Sequence, residues 1–281
     1  MPTSKQRRQA AQRHLQRQLE RRAEQQKKRR RNLGIVATVI AVVVVVGAAL
    51  LITGVFTGDD DSPEAAGATT AAPTSSTAAV TTNADGTVAC TYTPDDSGNP
   101  GLTDIGTPPN PEATPTQGTD TLLMSTNQGD LTLTLNRTAA PCAAASFAYL
   151  ASQKFFDGSP CHREVNQAAF GVLQCGDPTG SGSGGPTYKF AEEVTPETTY
   201  PRGTIAMANS GTPGSTGSQF FLCFVDTQLS PDYTAVGTVD AAGLAVLDTI
   251  AAAGNDGSFE PSPGGGAPKT PVTINTMTVI S

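Results

Sequence analysis

Tryptophan is absent from this chain, and histidine occurs only as His14 and His162. Two histidines exclude a multi-histidine metal centre, and no CxxC pair supplies thiolates in their place. A Ser-His-Asp hydrolase would have His162 as its only base beyond the N-terminal arm, and no GxSxG elbow presents a serine to it. Large apolar residues are scarce from residue 58 to about 118, where Ala, Thr, Ser, Pro, Gly and Asp dominate. Such a stretch cannot bury enough apolar area to offset its ordering entropy, so residues 57–118 are expected to form a flexible linker. One β-prone patch interrupts it, Val88-Ala89-Cys90-Thr91-Tyr92, whose cysteine is a candidate pin to a folded domain.

Acidic residues are nearly missing from the first 32 positions. That arm holds 12 of the 18 Lys and Arg against Glu20 and Glu24, a net +10, and leaves −17 for the rest. Leu33 to Phe56 then runs for 24 residues without a charge. A helix of that length spans roughly 36 Å, enough for a hydrocarbon core of ~30 Å. The run is too long for the apolar core of a cleaved signal peptide. With the basic arm on one side and Asp59-Asp60-Asp61 on the other, the positive-inside rule puts the N-terminus in the cytoplasm and the C-terminal part outside. The expectation is a single-pass protein of the cell membrane. Its arm lies on anionic headgroups and takes no specific nucleic-acid partner.

All five cysteines, Cys90, Cys142, Cys161, Cys175 and Cys223, follow the apolar run. An oxidising exterior permits disulfides, and an odd count leaves one thiol over. Cys223, on a core-like strand, is the candidate buried free thiol; the other four allow three pairings. Gly180-Ser181-Gly182-Ser183-Gly184-Gly185 satisfies GxGxxG, but Pro186-Thr187-Tyr188 follows it where a phosphate-binding helix would have to start. It reads as a surface loop.

Order is expected from residue 119 to 281. Leu131, Leu133 and Leu135 alternate with Thr132 and Thr134 beyond Asn127-Gln128-Gly129, the pattern of a half-buried hairpin. Thr138 stands where an N-cap belongs and Pro141 in the first turn of a helix carrying Phe147, Leu150 and Ala151. A second helix follows Asp240, with Leu244, Leu247, Ile250 and Ala251 on one face and Gly254 at its end. Short β-prone runs lie between the helices, and Val272 to Ile280 alternates again. A mainly β barrel or sandwich is the architecture this implies.

Three ordered runs narrow it. Cys161-His162-Arg163, Gly203-Thr204-Ile205-Ala206-Met207-Ala208-Asn209 and Gly217-Ser218-Gln219-Phe220-Phe221 together resemble the signature of the cyclophilin-type peptidyl-prolyl isomerases. Over residues 119–281 the resemblance implies a closed eight-stranded antiparallel β-barrel with a helix covering each end. The whole arrangement looks like membrane-anchored actinobacterial members. It implies Arg163 as the catalytic donor, with Gln174 and Asn209 holding the substrate backbone and Gln219 in support. Phe221 and Met207 would wall a proline pocket, and Ala208 would line the groove. His162, Phe170, Leu229 and Tyr233 complete the implied substrate-binding set. Isomerisation needs no nucleophile, metal or cofactor, so none is expected. The implied partners are proline-containing segments of exported polypeptides met by a monomeric domain; a non-catalytic proline-binding chaperone of the same fold is the alternative.

The chain departs from the family pattern in three places, one of them Tyr233, which stands where a further pocket histidine belongs. The segment Glu164 to Leu173 is longer than usual, and Leu229 stands where many members carry a tryptophan that contacts cyclosporin. Weak cyclosporin binding is therefore expected; nanomolar inhibition of the purified protein would contradict it.

Overall fold

The computed structural model describes residues 82–281. The basic arm of 1–32, the apolar run of 33–56 and the linker before Thr82 lie outside the described residues. Among the described residues no helix is long and apolar enough to cross a membrane.

Eight antiparallel strands make one sheet: β1 (Thr119–Thr126), β2 (Gly129–Asn136), β3 (Arg163–Gln167), β4 (Phe170–Cys175), β5 (Thr204–Met207), β6 (Phe220–Cys223), β7 (Ala235–Val239) and β8 (Ile274–Val279). Their order is β8-β1-β2-β7-β5-β6-β4-β3. An order with two ends corrects the expectation of a closed barrel: the sheet is an open, curled half-barrel with β3 and β8 as its edges. The edges approach through isolated bridges, Pro160 with Thr273 and Glu164 with Gly266. Pro160, Pro268 and Pro271 stand in the approaching segments and have no N–H to give a continuous ladder.

The hairpin β1-β2 turns at Asn127-Gln128 as expected, with Leu131, Leu133 and Leu135 at most 1% exposed. Two helices accompany the sheet, α1 (Pro141–Ser152) and α2 (Ala241–Ala253). Helix α2 has the expected ends: the Asp240 carboxylate accepts from the Gly243 N–H at 2.9 Å, and Gly254 closes it at φ 71°. Helix α1 differs, because its N-cap position is Ala140, with no side-chain cap of its own. Asn136 Oδ1 accepts from Thr138 and Ala139 at 2.9 and 3.0 Å, which makes Thr138 part of a turn. The helix's own first donors, the N–H groups of Cys142 and Ala143, go instead to the Glu193 carboxylate at 2.9 and 2.8 Å.

Phe147, Phe156 and Phe220 meet at ring distances of 4.9 to 5.8 Å in the main core, with the buried leucines of β1 and β2 around them. Along β4, β5 and β6 every second residue joins this core, and those between face a smaller cluster on the opposite side of the sheet. That second face carries the site.

Part of the compositional linker is folded onto the body. Cys90 is bonded to Cys142 in the first turn of α1, and Tyr92 donates to the Cys142 carbonyl at 2.9 Å. The Tyr92 ring lies edge-on to Tyr188 and Phe190. Thr93–Pro94 pairs with Tyr188–Lys189, and Leu102–Thr103 with Gly185–Pro186. The second disulfide joins Cys161 to Cys175, which selects one of the three pairings, and Cys223 is the buried free thiol that the odd count requires.

Burial pushes the Glu193 carboxyl up to about 7 from an ordinary value of 4.5, against the pull of its two N–H donors. Between those values the folded chain keeps a proton that the unfolded chain releases. Stability fully present below pH 4.5 is thus lost as pH rises toward about 7. Urea unfolding across that range is expected to show this slope flattened in Glu193→Gln, and Glu193→Ala is expected to cost about 1 kcal/mol for the lost helix cap.

Candidate functional site

Alternation along three neighbouring strands builds the site's floor. In β6, Phe220 and Leu222 enter the core, so Phe221 and Cys223 face the other way; in β4, Leu173 and Cys175 do the same and leave Val172 and Gln174 outward. In β5, Ile205 and Met207 are core residues, which puts Ala206 and then Ala208 on the groove side. The result is a pocket of about 600 Å³ lined by Val172, Ala208, Phe221, Leu229 and Tyr233 on its apolar side. Its other walls are His162, Arg163, Phe170, Gln174, Asn209, Ser181, Gly182, Phe259 and Pro263.

The aromatic wall is fixed by hydrogen bonds as well as packing. Tyr233 sits edge-on to Phe221, with centroids 5.4 Å apart and planes at 81°. Tyr200 stands behind both; its hydroxyl donates to the Tyr233 carbonyl at 2.9 Å and accepts from the Tyr233 N–H at 3.0 Å. Burial pushes the Tyr200 phenol up to about 12, so it remains a donor at physiological pH.

Arg163 opens β3 and lies directly across from Gln174 on β4. Its guanidinium is held at three points: Nη1 donates to Gln174 Oε1 at 3.0 Å, Nε to the Gly264 carbonyl at 3.0 Å and Nη2 to the Pro263 carbonyl at 2.8 Å. Gln174 passes the hold on, donating to Gln219 Oε1 at 3.0 Å, and Gln219 donates to the Gly184 carbonyl at 3.1 Å. The Phe170 ring lies with its centroid 6.0 Å from the guanidinium carbon, at the limit of a cation–π contact. Burial draws the guanidinium below its usual value, opposed by Tyr233 and Glu260, yet an arginine stays charged at any physiological pH.

Beside it, His162 has its Nδ1 buried without a partner. Burial lowers this imidazole, with Asp177 opposing and Arg163 assisting, so His162 is a neutral neighbour rather than a second cation. The glycine-rich loop passes next to it. Burial would raise Asp177, but bonds from Thr179, Gly184 and Gly182 hold its carboxylate below the usual range. A carboxylate wrapped by the loop occupies the place a phosphate would need, so the loop serves as a rim and not as a nucleotide cradle.

The structure brings together most residues singled out in the sequence, with one correction and two refinements. Met207 does not wall the pocket: it is 0% exposed in the main core, because β5 alternates and Ala208 takes the groove side. Gln219 lies in an adjoining cavity of about 370 Å³ that shares Gln174, Gly182, Ala208 and Asn209 with the pocket. The Asn209 side chain is positioned at both ends, Nδ2 donating to the Asp232 carbonyl and Oδ1 accepting from Gly211 N–H, which leaves one N–H of the amide for a peptide. Val172, Phe259 and Pro263 were not singled out in the sequence. Two-residue spacing from Gln174 points to Val172, whereas Phe259 and Pro263 arrive on an aperiodic connection after α2 that carries no such signal.

Comparison with known proteins agrees with this geometry. The family model described as cyclophilin type peptidyl-prolyl cis-trans isomerase/CLD matches residues 121–279. A probable peptidyl-prolyl cis-trans isomerase B of Mycobacterium leprae is 45% identical over 183 residues, 60% of this chain and 60% of that one. Its namesake in Mycobacterium tuberculosis is 45% identical over 166 residues, 55% of this chain and 52% of that one, so the match spans little more than half of these relatives' length. Among solved structures, a Cryptosporidium parvum cyclophilin type peptidyl-prolyl cis-trans isomerase is 28% identical with a TM-score of 0.52, covering 58% of this chain and 99% of that one. That protein has also been solved in the presence of the dipeptide ala-pro.

Neighbouring residues on opposite faces of β5 give a direct test. Met207→Ala is expected to cost about 2 to 5 kcal/mol of stability as a core cavity while leaving proline-peptide affinity unchanged. Ala208→Leu should do the reverse, abolishing peptide binding with little change in the melting temperature.

Proposed function

This chain belongs to the cyclophilin-type peptidyl-prolyl cis-trans isomerase family, and on that footing we propose that its C-terminal domain accelerates rotation about X-Pro bonds. One observation carries the reading: a charged guanidinium fixed at three points on the rim of a pocket with an apolar wall of Val172, Phe221, Leu229 and Tyr233. Rotation must cross a barrier of ~18 to 20 kcal/mol because the amide loses conjugation at the twisted state. In that state the prolyl nitrogen becomes pyramidal and regains a lone pair. A donor aimed at it binds the transition state better than the planar ground state.

Of the five guanidinium N–H groups, three are committed to Gln174, Gly264 and Pro263. The two left, one on each Nη, are those available to the nitrogen. Phe221, Val172, Leu229 and Tyr233 take the ring of the proline, while Ala208 leaves space for the chain to lie across the sheet. No group in this scheme gives up or takes a proton, and neutral His162 keeps a competing positive charge away from the site.

The substrates we propose are proline-containing segments of exported polypeptides, whose slow proline steps delay folding after translocation. Two disulfides in the domain favour an oxidising compartment outside the cytoplasm. The charge-free run of 33–56 behind a +10 arm supports a single-pass anchor that holds the domain there.

A protease-coupled isomerisation assay on the full chain tests the activity. A charged hydrogen bond made only in the transition state contributes ~1.5 to 3 kcal/mol, so Arg163→Ala should lower kcat/KM roughly ten- to a hundredfold. Proline-peptide binding without acceleration would replace the isomerase reading with that of a binding module, and acceleration indifferent to Arg163→Ala would move the donor to another residue.

A further inference from the structure

The connection between α2 and β8 does not run straight to the edge strand. From Gly254 to Lys269 it makes a closed loop whose base is joined by Lys269 N–H on the Gly254 carbonyl and Asp256 N–H on the Ala267 carbonyl. Two carboxylates hold its interior. Asp256 Oδ1 accepts from the Ser258 and Ala267 N–H groups at 2.9 Å each, and Glu260 Oε1 accepts from the Gly265 N–H at 2.7 Å. The loop then lies flat on β3, where Glu164 and Gly266 exchange backbone hydrogen bonds of 2.7 and 3.0 Å. There is no space between them: a Cβ at Gly265 would sit 2.0 Å from the Glu164 carbonyl oxygen, and one at Gly266 2.2 Å from Asp256 Oδ1.

What this loop delivers is the pair of carbonyls on Arg163. Gly264 and Pro263, immediately before the glycine that Glu260 holds, accept from Nε and Nη2. An arginine on a flexible stem has considerable rotamer freedom to lose, and a donor that must meet a lone pair present only in the twisted state gains nothing from being merely nearby. We propose that Glu260, with Asp256 behind it, is a positioning residue of the isomerisation: by fixing the 254–269 loop it holds the Gly264 and Pro263 carbonyls that aim the Arg163 guanidinium. The inference rests on the role proposed for Arg163. It assigns the loop a part in turnover and none in gripping the peptide.

The test uses the full chain as wild type, Glu260→Ala, Glu260→Gln, Arg163→Ala and the Arg163→Ala/Glu260→Ala pair. Glu260→Ala is expected to lower kcat about three- to tenfold with KM unchanged, the size of a contact-level coupling. Glu260→Gln should restore the rate, since its amide oxygen still accepts from Gly265. In the Arg163→Ala background the second change should have no further effect. An equal loss in both backgrounds, or a loss confined to KM, would overturn the inference while leaving Arg163 in place. A second measurement is independent of turnover: the NMR signal of the Arg163 Nε–H should be protected from solvent exchange in wild type and lose that protection in Glu260→Ala. Protection that survives the substitution would overturn the positioning role. If Arg163→Ala kept full activity, the role proposed for Arg163 would fail, and this signal would still decide whether Glu260 fixes the side chain.

Discussion

Arg163 and Gln174 face each other across β3 and β4, and the dimensions of the groove follow from that pairing. A strand has a period of two, so sliding β3 by one residue would carry the guanidinium to the opposite face of the sheet and bring Glu164 to the groove. The covalent bond between Cys161 and Cys175 forbids the slip, since each cysteine adjoins the site in sequence: Cys161 precedes His162-Arg163, and Cys175 follows Gln174. Register is thus held beside the site, on the edge strand of an open sheet, whose outer side is paired only through the Glu164–Gly266 bridge.

The groove is an outer face, and the core beneath it is what makes that face stiff. Phe220 and Leu222 anchor β6 from below while Phe221 projects above, so the pocket wall inherits the rigidity of the aromatic cluster without being part of it. Tyr200 adds a second layer, tying the loop that bears Tyr233 to the sheet by two hydrogen bonds at its hydroxyl. Burial of Glu193 against the first turn of α1 does the same work for the helix beneath, in place of a cap supplied by the helix's own sequence.

Much of this was legible from residues alone, for reasons of period and local chemistry. Strict alternation in Leu131 to Leu135 declares its own buried face, and Asp240 and Gly254 mark helix ends because capping is a short-range effect. Gln219-Phe220-Phe221 declares a strand with one aromatic on each side. Errors arose where the deciding partner is far away in sequence. Thr138 has the chemistry of a cap, but Asn136 and the distant Glu193 take the donors between them. Met207 is assigned to the pocket by resemblance, while the parity of β5 turns it inward. Closure of the sheet depends on which N–H groups the edge-approaching segments retain, and prolines there leave it open. Composition between 82 and 118 reads as linker apart from the Val88 to Tyr92 patch, whose cysteine is the expected pin, bonded to Cys142; the short pairings of Thr93–Pro94 and Leu102–Thr103 carry no local signal.

The Cys90–Cys142 bond closes a covalent ring that contains β1 and β2. Residues 82 to 90 are joined to the body twice, by hydrogen bonds to residues 111–116 and by the Cys90–Cys142 bond into the first turn of α1. Within that ring lies one strand of each of the short pairings that flank the glycine-rich rim. The covalent end of the ring sits at the helix beside the main core, while the groove opens on the opposite face of the sheet. Reducing that one disulfide would leave the 82–118 segment held against the body by non-covalent contacts alone.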